Sequence, residues 1–202
     1  MRWFYRLICS LAWVIFNIVF KVSYEGLENV PENESGYILA SNHASNIDPI
    51  VLSMKLKPWV RYLGKAELVK YAFIACFFRL LGIVSVDRGQ GDTKALDRCV
   101  ELIENGYVLG IFPEGTRYPK GPGQPRSGMA LLAKRCKADI LPCSIEYERP
   151  LRLRSRIKVQ IGDMIKYEDL GLDEDSPRAL KRATRLVWNI IVGMLGEKVD
   201  ES

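Results

Sequence analysis

The feature that most limits the fold of this chain is an alternation of short apolar runs with longer amphipathic stretches. Residues 37–40 form an apolar run with the length of a buried strand, whereas residues 92–105 and 127–137 have helical spacing. Ser176 followed by Pro177 marks the start of a last helix. The alternation predicts one α/β domain with a mostly parallel central sheet flanked by helices. The length of 202 residues is sufficient for one domain with a sizeable core.

Composition and charge narrow the classes of function. The net charge of +5 at pH 7 favours an anionic partner without identifying it. With five cysteines that lack metal-ligand spacing and one histidine, no metal site is expected. The cysteines have mainly apolar or helical neighbours, which favours buried thiols in a reducing compartment.

Basic side chains are concentrated in one segment, which we call the basic cluster. No nucleic-acid recognition motif accompanies it, so nucleic acid is not the expected partner. An anionic membrane surface or a polyanionic thioester donor fits the cluster better, and a solvated hairpin face is the competing interpretation. The basic cluster comprises Arg149, Arg152, Arg154, Arg156 and Lys158.

The single histidine, His43, is the side chain best suited to exchange protons near neutral pH. It follows the apolar run at residues 37–40 and precedes Asp48-Pro49, where a helix is expected to begin. Sites in open α/β sheets form where strands end and helices start. His43 and Asp48 are therefore a candidate catalytic pair, although a lone histidine can also be a surface or capping residue.

Three further fragments have polar residues or proline at strand-like runs. Residues 82–89 end a strand pattern on Arg88, residues 112–117 read Phe-Pro-Glu-Gly-Thr-Arg, and residues 140–145 are an apolar run interrupted by proline. A further motif, Asn-His followed by four residues and Asp at residues 42–48, comes before these three fragments. In this order the four motifs resemble those of the glycerolipid acyltransferases. The bacterial 1-acylglycerol-3-phosphate acyltransferases are the most similar class, and the resemblance spans about residues 24–165.

The resemblance implies transfer of a fatty acyl group from a thioester, acyl-CoA or acyl-carrier protein, to the sn-2 hydroxyl of 1-acylglycerol-3-phosphate, which makes phosphatidic acid. His43 would take the hydroxyl proton, and Asp48 would fix the imidazole tautomer and stabilise the imidazolium. No covalent intermediate and no cofactor beyond the thioester co-substrate are expected. A covalent route through Ser41 or Ser45 competes, but neither serine lies in a Gly-x-Ser-x-Gly turn.

The implied acceptor carries a phosphate, which arginine can bind in bidentate fashion. Lys65, Arg88 and Arg117 are the candidate phosphate ligands, with surface salt bridges as the alternative. Glu114 could accept hydrogen bonds from acceptor hydroxyls or hold an arginine, and glycine after it permits close backbone approach. The predicted substrate-binding residues are Lys65, Arg88, Glu114, Gly115, Thr116 and Arg117.

The chain departs from the family pattern after this motif. It reads Gln124-Pro125-Arg126-Ser127-Gly128, where the family often has Phe-Lys before the glycine, so the basic role could pass to Arg126. The acceptor could accordingly be another lysophospholipid or an aminolipid. A non-catalytic lipid-binding protein of the membrane surface is the alternative outside the enzymes, and a serine hydrolase would need a nucleophile elbow that the sequence lacks.

The N-terminal segment, residues 1–22, is predicted as a membrane anchor before an acyltransferase domain over residues 23–202. Residues 7–20 are nearly all apolar and would form a helix of about 21 Å, short of a bilayer core of roughly 30 Å. We therefore expect a helix that lies in one leaflet, on the cytoplasmic face of the cell membrane. A signal peptide and a buried core helix are the alternatives. Residues 68–81 are also apolar and predict either a core helix or the wall of an acyl-chain groove.

Overall fold

The computed structural model describes residues 2–32, 36–65, 83–86 and 92–197. In this part of the chain a sheet of seven strands is surrounded by helices. The strands are β1 (Lys21–Glu25), β2 (Ile38–Ser41), β3 (Val60–Lys65), β4 (Ile83–Val86), β5 (Val108–Ile111), β6 (Ile140–Tyr147) and β7 (Arg156–Ile161). The α-helices are α1 (Arg2–Val19), α2 (Asp48–Ser53), α3 (Asp92–Glu104), α4 (Gly128–Cys136) and α5 (Pro177–Met194), and short 3₁₀ helices span Leu27–Asn29 and Tyr167–Leu170.

The strand order is β1-β7-β6-β2-β5-β3-β4. Five of the six described strand pairs are parallel, and β6 with β7 is the antiparallel pair. The predicted α/β sheet flanked by helices is confirmed, but the sheet is mixed. The reason is the short connection over residues 148–155, because a parallel pairing of β6 and β7 would need a longer crossover.

The apolar side chains of the central strands divide the core between the two faces of the sheet. On one face Ile38 and Leu109 pack with residues of α3, α4 and α5. On the other face Leu39 and Leu141 pack with residues of α2. This division follows from the alternation of side chains along a strand. It explains why residues 37–40 read as a continuous apolar run: a strand covered on both faces is apolar on both.

Helix α1 has one packed face and one exposed apolar face. Tyr5 is buried and stacks on Trp59 with ring centroids 5.2 Å apart, and Trp13 and Phe16 pack against the core on the α2 side of the sheet. The predicted boundary after residue 22 lies within β1, which pairs with β7. Large apolar side chains are exposed on the other face of α1: Trp3, Leu7, Leu11, Val14, Ile15 and Ile18.

Within residues 2–32, 36–65, 83–86 and 92–197, no helix combines the length and apolar character that a bilayer crossing requires. The apolar residues 68–81 lie outside the described residues.

The last helix begins where the sequence predicts it. Ser176 caps α5, because its Oγ accepts the Ala179 N–H at 3.1 Å, and Pro177 is the first helical residue. Cys9, Cys99 and Cys143 are buried as free thiols. For Cys9 and Cys99 this confirms the expected role as small apolar groups, whereas Cys136 is only half-buried.

The parallel strands position the candidate site. β2, β5, β3 and β4 are parallel neighbours, so their carboxyl ends meet at one edge of the sheet, and β6 joins this edge through its parallel pairing with β2. The polar segments that follow β2 and β5 therefore start side by side.

Candidate active site

His43 and Asp48 are in direct contact at the carboxyl edge of the sheet. The turn between β2 and α2 brings His43 Nδ1 to 2.7 Å from Asp48 Oδ2. With Nδ1–H donating to this carboxylate, Nε2 of the imidazole carries the lone pair that can accept a proton. The His43 side chain is 19% exposed, so a substrate can reach it, whereas Asp48 is fully buried. The structure thus brings the predicted pair together in the geometry that a general base needs.

The turn between β2 and α2 supplies further donors to Asp48. The backbone N–H groups of Ala44 and Ser45 both donate to Oδ2 at 2.8 Å. The Tyr147 hydroxyl donates to Oδ1 at 2.5 Å. With the imidazole N–H, the carboxylate accepts four hydrogen bonds, which fits an ionised group that can only accept. The sequence did not identify Tyr147; its position at the end of the strand run that starts at residue 140 is the signal that could have found it.

Asn42 joins the end of β2 to β6. Its side-chain amide donates to the Ile145 carbonyl at 2.9 Å, and its oxygen accepts the Ile145 N–H at 2.8 Å. Both bonds are buried, so they fix the backbone immediately before His43. In the sequence, Asn42 was noted only as a part of the motif.

Aromatic rings support the imidazole of His43 from one side. Phe112 stacks on His43 with ring centroids 4.1 Å apart and planes inclined by 15°. Tyr62 stacks in turn on Phe112, at 5.9 Å. Because Phe112 directly follows β5, the packing couples the imidazole orientation to the neighbouring strand.

Glu114 lies beside His43. It is 1% exposed, its Oε1 accepts the backbone N–H of His43 at 3.4 Å, and the backbone of Gly123 also interacts with the carboxyl group. Oε2 is buried without a hydrogen-bond partner in the described part of the chain. Burial, with a smaller contribution from the negative charge of Asp48, raises the pKa of Glu114 to about 7. Glu114 can therefore gain or lose a proton near neutral pH, and Oε2 can donate or accept accordingly.

The rest of the Phe-Pro-Glu-Gly-Thr-Arg loop folds over the turn that carries His43. Gly115 has φ +70°, a conformation that favours glycine, and its N–H donates to Phe112 O at 3.0 Å. Thr116 and Arg117 are exposed, and Arg117 Nη1 donates to the side-chain oxygen of Asn46, between His43 and Asp48. The cation of Arg117 thus lies at the rim of the site, where an anionic substrate group can reach it.

The predicted ligands Lys65 and Arg88 are placed only in part. The backbone of Lys65 ends β3 at the carboxyl edge and is in register with Val86, which ends β4. The side chain of Lys65 and the whole of Arg88 lie outside the described residues. Arg126, the candidate for the missing family lysine, is exposed, and its N–H donates to Pro113 O at 2.8 Å.

The two serines near His43 are not arranged as nucleophiles. Ser41 is fully buried, and its hydroxyl hydrogen bonds to Asn42 at 3.5 Å. The hydroxyl of Ser45 accepts the Ile47 N–H at 3.4 Å. The geometry therefore favours direct attack by a substrate hydroxyl over a serine acyl-enzyme.

The described residues combine an α/β sheet with a His43–Asp48 pair at its carboxyl edge, and neither Ser41 nor Ser45 is arranged as a nucleophile. Residues 21–146 match the family model described as Acyltransferase, and the chain belongs to this family. It is an acyltransferase.

Relatives and a solved structure agree with this assignment. The 1-acyl-sn-glycerol-3-phosphate acyltransferase of Bacillus subtilis is 27% identical over 173 residues, covering 83% of this chain and 85% of that protein. The enzyme of the same name from Streptococcus pneumoniae is 25% identical and covers 92% of this chain and 74% of its own length. The crystal structure of the 1-acyl-sn-glycerophosphate (LPA) acyltransferase from Thermotoga maritima has the same fold, with a TM-score of 0.75 at 23% identity, covering 96% of this chain and 80% of that one.

Proposed function

We propose that this protein transfers a fatty acyl group from an acyl thioester to the sn-2 hydroxyl of 1-acylglycerol-3-phosphate, which produces phosphatidic acid for phospholipid biosynthesis. The observation that carries the proposal is the contact of His43 Nδ1 with Asp48 Oδ2, beside the Arg117 loop. The names of the relatives from Bacillus subtilis and Streptococcus pneumoniae support the choice of acceptor.

In the proposed reaction His43 acts as a general base and then as a general acid. Nε2 takes the proton of the acceptor hydroxyl as its oxygen attacks the thioester carbonyl carbon. The new C–O bond forms, the C–S bond breaks, and the imidazolium returns the proton to the leaving thiolate. Asp48 keeps Nδ1 protonated and stabilises the imidazolium between the two transfers.

The rim of the site supports an acceptor with a phosphate group. The exposed guanidinium of Arg117 can bind a phosphate in bidentate fashion after release from Asn46. Glu114 remains a predicted hydrogen-bond partner of an acceptor hydroxyl, but its Oε2 is buried in the structure, so the acceptor would have to displace the residues that cover it. Lys65, at the end of β3, and Arg88, outside the described residues, remain predicted phosphate ligands.

The test is an assay of the purified chain, in detergent and on liposomes, against a panel of lysophospholipids and an aminolipid. Each acceptor is offered with acyl-CoA and with acyl-carrier protein as donors. The His43→Ala variant should lose roughly 100- to 10,000-fold in turnover, because no other histidine can replace the base. Thermal unfolding of the variant controls for its folding. Near-normal turnover of His43→Ala would contradict the mechanism, and a preference for another acceptor would contradict the substrate.

We further propose that the protein works at the cytoplasmic face of the cell membrane, held there by the exposed face of α1. The exposed side chains on this face include Trp3 (71% exposed), Leu11 (58%) and Ile18 (66%), which recur at helical spacing along the length of α1. The basic cluster supports the same surface, since Arg154 Nη1 donates to Asn17 O at 2.8 Å at the carboxyl end of the helix. Anionic headgroups would meet the cluster there.

Substitution of the exposed face tests this proposal better than deletion of α1, because deletion would also remove Tyr5 from Trp59. The triple variant Leu7→Asn, Leu11→Asn, Ile18→Asn should bind liposomes more weakly and keep its activity on a short-chain, water-soluble acceptor. The matched control is Leu186→Asn with Ile190→Asn, two partly exposed positions on α5. Equal liposome binding by both variants and the wild type would contradict an anchor on α1.

A further inference from the structure

The mechanism leaves one buried polar side chain of the site without a role, Tyr147. It is the last residue of β6 and only 9% exposed. The register of β2 with β6 places Ser41 opposite Cys143. Just beyond this pair, the two hydrogen bonds between the Asn42 side chain and the Ile145 backbone hold β6 in place. At this edge the tyrosine hydroxyl contacts Asp48 Oδ1, whereas His43 contacts Oδ2.

The hydrogen bonds of Asp48 are divided unequally between its two oxygens. Oδ2 accepts from His43 Nδ1 and from the N–H groups of Ala44 and Ser45, whereas Oδ1 accepts from Tyr147. Asp48 is fully buried, so its oxygens depend on hydrogen bonds from the protein. Without the tyrosine hydroxyl, Oδ1 would be a buried oxygen of an anion with no donor, an arrangement that costs more than an ordinary lost hydrogen bond.

The hydroxyl of Tyr147 donates to Asp48, and its oxygen also forms a hydrogen bond with the Ser45 side chain. Burial and, after it, the charge of Asp48 raise the pKa of Tyr147 far above its ordinary range, so the phenol stays protonated at every pH at which the protein works.

We propose that Tyr147 is a positioning residue for acyl transfer, whose hydroxyl holds Asp48 Oδ1 so that Oδ2 stays aligned with His43 Nδ1 when the imidazole takes up the proton. Its effect on turnover rests on the proposed function. Its effect on the titration of the His43–Asp48 pair does not, because that titration can be observed without substrate.

Two other charged or titratable groups face this network. Glu114 contacts the backbone of His43, and burial raises the pKa of this carboxyl to about 7. Arg149 has its guanidinium carbon 5.9 Å from the centre of the Tyr147 ring. Glu114 titrates near the pH range of interest, so the measurement is made in the wild-type chain and again in a Glu114→Gln background. Arg149 stays charged throughout and adds a constant field.

The chain offers an unusually direct measurement, since it contains one histidine. The imidazole proton resonances in an NMR titration belong to His43 without any assignment step. The test compares Tyr147→Phe with Tyr24→Phe, a matched control that removes a partly buried phenol whose hydroxyl bonds to the carbonyl of Val51 on the same helix as Asp48. Both substitutions delete one hydroxyl, but only the first deletes a donor to Asp48.

In Tyr147→Phe, the imidazole resonances of His43 should respond to pH at a higher pH than in the wild type, because loss of a donor to the anion raises the proton affinity of the pair. The acid limb of the activity profile should move in the same direction. Turnover should fall roughly 10- to 100-fold with the KM values of both substrates retained. Tyr24→Phe should show none of these changes.

If Tyr147→Phe does not fold, the wild-type chain still gives a test. In ¹⁵N-labelled protein, the Tyr147 hydroxyl proton should appear as a slowly exchanging resonance that is not attached to nitrogen and shows cross-relaxation with a tyrosine ring. It should shift along with the His43 titration. An unchanged titration in Tyr147→Phe, or a hydroxyl resonance that ignores the titration, would overturn the proposal. The proposed function would instead be rejected if the titration behaved as expected but the protein transferred no acyl group to any lysolipid.

Discussion

Glu114 makes the stability of this protein depend on pH near neutrality. The side chain is 1% exposed and has one oxygen without a partner in the described residues, and burial raises its pKa from the ordinary 4.5 to about 7. The folded protein therefore binds this proton more tightly than the unfolded chain does. Stabilisation by the protonated carboxyl is complete below about pH 4.5 and is lost as the pH rises through about 7.

The size of this effect follows from the shift. One pKa unit corresponds to about 1.4 kcal/mol. A shift of the Glu114 pKa from 4.5 to about 7 therefore makes the free energy of unfolding about 3 kcal/mol higher when Glu114 is protonated than when it is ionised. Glu114→Gln keeps the shape of the side chain and cannot ionise. We expect the free energy of unfolding of the variant, relative to that of the wild type, to increase by about 2–3 kcal/mol from pH 5 to pH 8.

Urea unfolding at a series of pH values measures this difference directly. Titrating groups remote from Glu114 affect both proteins alike and cancel in the comparison. Glu146→Gln, at an exposed position on β6, controls for the loss of one negative charge and should give a flat difference. A flat difference for Glu114→Gln as well would refute the argument that burial holds a proton on this carboxyl.

Two further predictions concern the chemistry of the site. Asp48→Asn should lower turnover roughly 1,000- to 10,000-fold, because an amide cannot stabilise the imidazolium and favours the wrong tautomer. Full activity of this variant between about pH 6 and pH 9 would show that Asp48 has only a structural role. Arg117→Ala and Arg88→Ala should each lower kcat/KM for the acceptor roughly 10- to 100-fold, as expected for hydrogen bonds to a charged group, and leave the donor KM unchanged. The control for both variants is Arg135→Ala, at an exposed position on α4. If acceptor kinetics were unchanged in all three variants, Arg117 and Arg88 would not belong to the phosphate site.

Local sequence patterns predicted the elements that lie close together in the chain. The apolar run before His43 is β2, the Ser176-Pro177 pair starts α5, and the five-residue spacing of His43 and Asp48 gives a direct hydrogen bond. Each of these depends on a few neighbouring residues: side-chain alternation, a cap, or one turn between a strand and a helix. The antiparallel direction of β7 was not predicted, because strand direction depends on how a connection folds back and not on the apolar pattern of the strand itself.

The sequence by itself determined the chemical groups available to this protein: one histidine, an aspartate in reach of it, and a loop with a glutamate and an arginine. The tertiary structure decided what surrounds them. Glu114 is 71 positions from His43 in the chain, and Tyr147 is 99 positions from Asp48, yet both pairs are in contact. The protonation of Glu114 and the fourth hydrogen bond of Asp48 follow from these contacts, since burial and the distance between charges are set only when remote strands meet at one edge of the sheet.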